Sequence, residues 1–149
     1  MTKHDAIIDY FAPELEALTG MIAQFNHEAI ESGSVSIETI DNDRVLKKYI
    51  RAAKREYRFK AVFVLGYSTY CDTVNVDAMN LAQSFMDWLE DQNRTKTFPI
   101  LPNKREGKRD CIVTQVETLQ NIPALTGIDA DEKVARYEIP CRVVYYEED

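Results

Sequence analysis

Between Cys71 and Asn93 the chain reads CDTVNVDAMNLAQSFMDWLEDQN, and this stretch constrains what can surround it. Met79, Ala82, Phe85, Met86 and Leu89 recur at helical spacing, with Leu81 and Trp88 widening the apolar stripe. Asn80, Gln83, Asp87, Glu90 and Asp91 fall mostly on the remaining surface. The spacing predicts a helix of about five turns that buries a broad face. Asp72 or Asn75 suits its start, because a short polar side chain accepts the free N–H groups of a first turn. Strand-like segments stand on both sides, so the stretch reads as the helix on which a sheet is laid. From Asp72 to Asn93 nothing in it is chemically reactive.

Upstream, the clearest strand puts Tyr57, Phe59, Ala61, Phe63 and Leu65 on one face and Arg58, Lys60, Val62 and Val64 on the other. Before it, Ser34 to Ile40 alternates as a half-buried strand, Asp41-Asn42-Asp43 reads as a turn, and Val45 to Ile50 reads as another strand or a short helix. The N-terminal part, 1–31, reads as two covering helices divided near Pro13, with Leu15, Leu18, Ile22 and Phe25 on the face of the second. Downstream, Cys111 to Leu119 reads as a strand burying Ile112, Val113 and Val116, and Thr118 to Asp131 as a connection. A last strand from about Lys133 to Tyr146 carries Ala135, Tyr137, Ile139, Cys141, Val143 and Tyr145 on one face. Pro140 removes a backbone donor there, which predicts an edge position or a bulge. The expectation is a single α+β domain over 1–149. Its mainly antiparallel sheet of four to five strands packs against the long central helix and the N-terminal helices.

Reactive chemistry is sparse. The sequence holds no GxSxG, HExxH, glycine-rich phosphate loop or CxxC. His4 and His27 lie in segments that read as covering helices, away from any nucleophile they could activate. Cys71, Cys111 and Cys141 sit in or beside apolar segments, as buried free thiols of a reducing compartment do. Asp41 to Asp43 lacks the glycine and distal glutamate of a calcium loop, and Asp129, Asp131 and Glu132 open a turn where acids are common. No catalytic, cofactor or metal site is therefore expected, and an enzyme acting on small molecules is the alternative from another class. A net charge of −7 argues against general nucleic-acid binding. The opening stretch MTKHDAIIDYFAPELEAL lacks a signal peptide's apolar core, and no apolar run approaches a membrane span, so a soluble, intracellular protein is expected.

The charge is uneven. From Arg94 to Arg109, six basic residues (Arg94, Lys96, Lys104, Arg105, Lys108 and Arg109) stand against Glu106 alone. The extended segment 94–110 also holds Pro99, Pro102 and Gly107 beside Phe98, Ile100 and Leu101. It reads as a solvated loop or as a docking segment that becomes ordered against an acidic partner. Tyr67, Tyr70, Tyr145 and Tyr146 are candidate interface contacts, since tyrosine offers a large area at low entropic cost.

Several stretches carry a family resemblance: Val45-Leu46-Lys47-Lys48-Tyr49, Tyr57-Arg58-Phe59-Lys60-Ala61-Val62-Phe63, Phe85-Met86-Asp87-Trp88-Leu89-Glu90, and the run from Ala130 through Tyr137-Glu138-Ile139-Pro140-Cys141 to Tyr146. In spacing and order, from about Val35 onward, the chain resembles small structural proteins of tailed phages and prophages of Gram-positive bacteria, the minor capsid and tail-terminator proteins. The resemblance implies an α/β fold assembling as a ring, typically a hexamer, at the head-proximal end of the tail tube. There it would stop tube growth and join the head–tail connector. Another neck, head–tail joining or minor capsid role is the alternative. Implied partners are further copies of the chain, the tail tube protein and the connector, with neither membrane nor sequence-specific nucleic acid. The implied location is the host cytoplasm during assembly and then the virion. Residues 1–31 are the least matched.

Overall fold

Alternation of apolar and polar residues over fifteen positions makes β3 (Ala52–Gly66) and β6 (Val134–Glu148) two long partners, paired antiparallel from Ala52↔Glu148 to Gly66↔Val134. They form the middle of the sheet in a computed structural model of the chain, which describes residues 1–26, 34–68, 72–120, 122–129, 131 and 133–149. The other elements are α1 (Lys3–Thr19), β1 (Ala23–Phe25), β2 (Ser34–Lys48), α2 (Asp72–Thr95), β4 (Ile112–Thr118) and β5 (Ala124–Asp129). The strand order is β1-β2-β3-β6-β4, with β5 also on β6. β1 runs parallel to β2, and every other pairing is antiparallel. Among the described residues the fold is thus α+β with a mixed six-stranded sheet and two helices, rather than four to five strands and an N-terminal helix pair.

Both helices lie on the same face of the sheet. Ile7, Phe11 and Leu15 of α1 and Ala82, Phe85 and Leu89 of α2 join Tyr57, Phe59, Ala61 and Phe63 of β3 and Tyr137 to Tyr145 of β6 in one buried core. Ring centroids of Phe11 and Phe59 stand 4.6 Å apart, and those of Phe63 and Phe85 6.0 Å. The sheet is laid on two helices, not on α2 alone. The opposite face carries ion pairs across the strands: Lys60 to Glu138 at 2.9 Å, Arg136 to Glu38 at 3.1 Å, and Arg142 to Glu117 at 2.5 Å and Glu56 at 3.2 Å.

Several sequence expectations are corrected. Pro13 does not divide the N-terminal region. It sits on the exposed side of a single helix, while Ile7, Phe11 and Leu15 repeat every fourth residue against the core. That helix opens with a capping box between Thr2 and Asp5 and closes at Gly20, whose φ of 70° is the left-handed cap glycine permits. Ile22 therefore lies outside the helix and is exposed, and Phe25 belongs to β1. Asp41-Asn42-Asp43 is not a turn between elements but an irregular part of β2, with register shifts on both sides and φ of 58° at Asp43. The turn falls at Tyr49, whose N–H donates to the Ala52 carbonyl at 2.8 Å. Thr118 to Asp131 contains β5 rather than connection only, and Ile112 faces the open side of the sheet and is exposed.

Pro140 lies within a central strand without a bulge on its β3 side. Its carbonyl accepts the Leu119 N–H at 2.8 Å, on the side of β6 where β4 ends at Cys141 and β5 begins at Glu138. A residue in an antiparallel strand directs its N–H and C=O to the same side. The missing donor thus faces the gap between two short strands.

Candidate assembly surfaces

The segment after α2 is held by its own body, not left for a partner to order. Phe98 packs on the core, Pro99 and Leu101 are buried, and the Cys111 N–H donates to the Leu101 carbonyl at 2.8 Å. Asn103 Nδ2 donates to the Glu148 carbonyl at 2.8 Å, and the Lys104 N–H to Glu147 Oε2 at 3.1 Å. The six basic residues are consequently dispersed. Arg94 pairs with Asp91 at 3.0 Å, and Lys104 reaches Glu147 at 3.8 Å. Lys96, Arg105, Lys108 and Arg109 are exposed and without an ion-pair partner among the described residues.

Tyr145 is corrected as an interface residue. It is fully buried, and its hydroxyl donates to Asp43 Oδ1. Around it Lys3 Nζ pairs with Glu147 Oε2 at 2.5 Å and Asp43 Oδ1 at 3.1 Å, and Arg55 Nε faces Glu147 Oε1 at 3.4 Å. Burial works against each charge. The hydrogen bonds outweigh it, leaving Lys3 above its ordinary pKa and Glu147 and Asp43 below theirs. Burial also pushes the adjacent Cys111 thiol up to about 12, and the Cys141 thiol is raised by full burial. Both thiols are free, buried and unreactive in this state.

Tyr146 points the other way, half-buried on the open side of the sheet, its ring centroid 6.0 Å from that of Tyr49. Tyr67 packs at the margin of the core. His4 shares a 2.6 Å hydrogen bond with the Tyr57 hydroxyl, which also meets Thr39 Oγ1 at 2.8 Å, so this histidine stitches α1 to the sheet. Asn75 does not cap α2. Its side chain holds both backbone groups of Ser68. His27, Tyr70, Cys71, Glu132 and the side chain of Asp72 lie outside the described residues. Among the described residues, no group of three histidine, cysteine or acidic side chains is placed to hold a metal ion. No helix there is long and apolar enough to cross a membrane.

Two surfaces were not anticipated from the sequence. The first is the free end of the β2–β3 pair. Among the described residues β1 covers β2 only at Val35 to Ile37, so there β2 beyond the Asp43 irregularity is an open sheet edge. Val45, Leu46, Tyr49 and Ile50 are exposed along this end, Ile50 at 98%, and Lys47 and Lys48 stand between them. Apolar residues interleaved with lysines just before a hairpin turn were the available sequence signal. The second surface is a cleft of about 310 Å³ between α2 and β4, at the opposite edge of the sheet. Met86 and Val116 floor it, and Asp87, Glu90 and Glu117 rim it. Asn93 Oδ1, accepting the Val116 N–H at 3.2 Å, fixes the helix against the strand. Compared with known proteins, the chain matches no family model and no curated protein.

Proposed function

We propose that the chain is a structural, non-catalytic component of a phage or prophage tail, a ring-forming terminator at the head-proximal end of the tail tube. The observation that carries this reading is the exposed run of Val45, Leu46, Tyr49 and Ile50 on an open sheet edge. A monomer gains nothing by presenting apolar side chains there, and such patches mark contact surfaces. The resemblance from Val45 to Tyr146 supports the virion role. So does the α+β architecture, whose β2 edge is uncovered past Ile37 among the described residues and suits repeated contacts between copies. In this reading the assembled form is a hexamer. One ring face meets the tube and the other the connector, in the host cytoplasm and then in the virion.

The test is to purify the chain and to mix it with tube polymerised from a phage tail tube protein, using light scattering and electron microscopy. Rings, alone or seated on tube ends, with tube growth arrested, are the expected result. A chain that stays monomeric and leaves tube length unchanged would overturn the assignment.

A further inference from the structure

We infer that the β2–β3 end of one copy docks into the α2/β4 cleft of a second copy of this chain, with Ile50 seated over Met86 and the basic edge of Lys47, Lys48 and Arg51 facing Asp87 and Glu90. The contact rests on the self-assembling role proposed above and specifies which surfaces meet.

Three observations carry it. The first is charge complementarity. At the β2 edge Lys47 and Lys48 are exposed, and so is Arg51, whose carbonyl accepts the Asp149 N–H at 2.9 Å. Lys47, Lys48 and Arg51 together give that edge an outward positive charge. The charged residues that line the cleft are all acids. Glu117 is already paired with Arg142 at 2.5 Å, which leaves Asp87 and Glu90 to receive the lysines.

The second is the match of apolar parts. Ile50, 98% exposed at the turn, protrudes as a single aliphatic side chain, and the cleft shows it the edge of Met86 inside a polar rim, with Val116 buried beneath. An apolar centre with a charged rim is how specific protein contacts are commonly built.

The third is placement. The strand order puts β2 and β4 at opposite edges of the sheet, so a contact from one to the other is heterologous. Heterologous contacts repeat from copy to copy and generate a ring when the rotation closes. A self-complementary contact of either surface would stop at a dimer, and each surface would meet its own charge.

The experiment exchanges charges. Lys47→Glu/Lys48→Glu alone and Asp87→Lys/Glu90→Lys alone are each expected to weaken self-association at least tenfold by sedimentation and light scattering. Ile50→Ser is expected to do the same while leaving the thermal midpoint unchanged. An equimolar mixture of the two reversed variants is expected to recover association in alternating assemblies. Reversed variants that assemble as the unmodified chain does would overturn the pairing, as would a mixture that stays dissociated. The two readings separate cleanly. Assemblies recovered by mixing that ignore tube would overturn the tail role alone. Tube-capping rings indifferent to every substitution would overturn only this docking.

Discussion

Lys3 and Glu147 come from opposite ends of the chain, and their 2.5 Å contact ties the first turn of α1 to the last strand of the sheet. Glu147 is 1% exposed, and Asp43, Arg55 and Lys104 complete its surroundings. Removing one member of a buried ion pair leaves the other desolvated and uncompensated, which costs about 3–5 kcal/mol. Asp43 remains beside Lys3, so Glu147→Ala is expected to lose about 3 kcal/mol, seen as a lower urea midpoint at unchanged slope. The pH dependence follows from the same groups. Glu147 and Asp43 have folded-state pKa values below their unfolded ones, so their contribution is complete above the ordinary carboxylate range and lost as pH falls through the folded values. Lys3 is raised instead, and its contribution holds through neutrality and fades only in strong alkali. Unfolding measured against pH should therefore show stability declining below about pH 4.5, with a shallower decline in Glu147→Gln. An identical slope in that variant would assign acid sensitivity to other carboxylates.

At the scale of elements, the segment joining α2 to β4 depends on Leu101, which is fully buried and whose carbonyl accepts from Cys111. Leu101→Ala should destabilise the protein by about 2–5 kcal/mol and speed hydrogen exchange at the Cys111 amide. Protection unchanged from the parent chain would mean that Asn103 and Lys104 hold the segment unaided. Leu101 also illustrates what was legible. The two-residue period of β3 and β6 and the helical period of α2 announced those elements, because each buries one continuous face. Leu101 was visible as apolar, yet a single anchor between prolines has no period, and the segment read as unattached. β5 escaped for a related reason. Its Leu125 and Ile128 are about half exposed, so little burial had selected an alternating pattern. Pro140 misled because sequence reports a missing donor but not which side of the strand it faces. The Asp41 to Asp43 run has turn composition, and its positive φ is spent on an irregularity inside β2, where Asp43 reaches Lys3 and Tyr145. Both docking surfaces depend on topology, which alone determines that β2 and β4 end at opposite edges.

For the whole molecule, the distribution of charge separates two kinds of contact. The chain carries −7 overall, yet Arg105, Lys108 and Arg109 are exposed in the segment before β4 and unpaired among the described residues. Lys104 differs from these three because its ammonium faces Glu147 and its N–H is bound there, so reversing it would place a carboxylate beside a buried one. A variant that reverses Arg105, Lys108 and Arg109 to glutamate therefore isolates the surface role of the segment. Exposed substitutions away from packed features shift stability by about 0.5 kcal/mol or less, so its thermal midpoint should match the parent's. Self-association should also persist, since Lys47, Lys48 and the α2/β4 cleft are untouched. If the proposed tail role holds, joining to a tail tube or connector, scored by electron microscopy of mixed components, is the property expected to fail, because reversing the segment's charge turns an electrostatic attraction into repulsion. Full joining by a folded, ring-forming variant would remove this segment from the tail contacts and leave that role to the remaining faces of the ring.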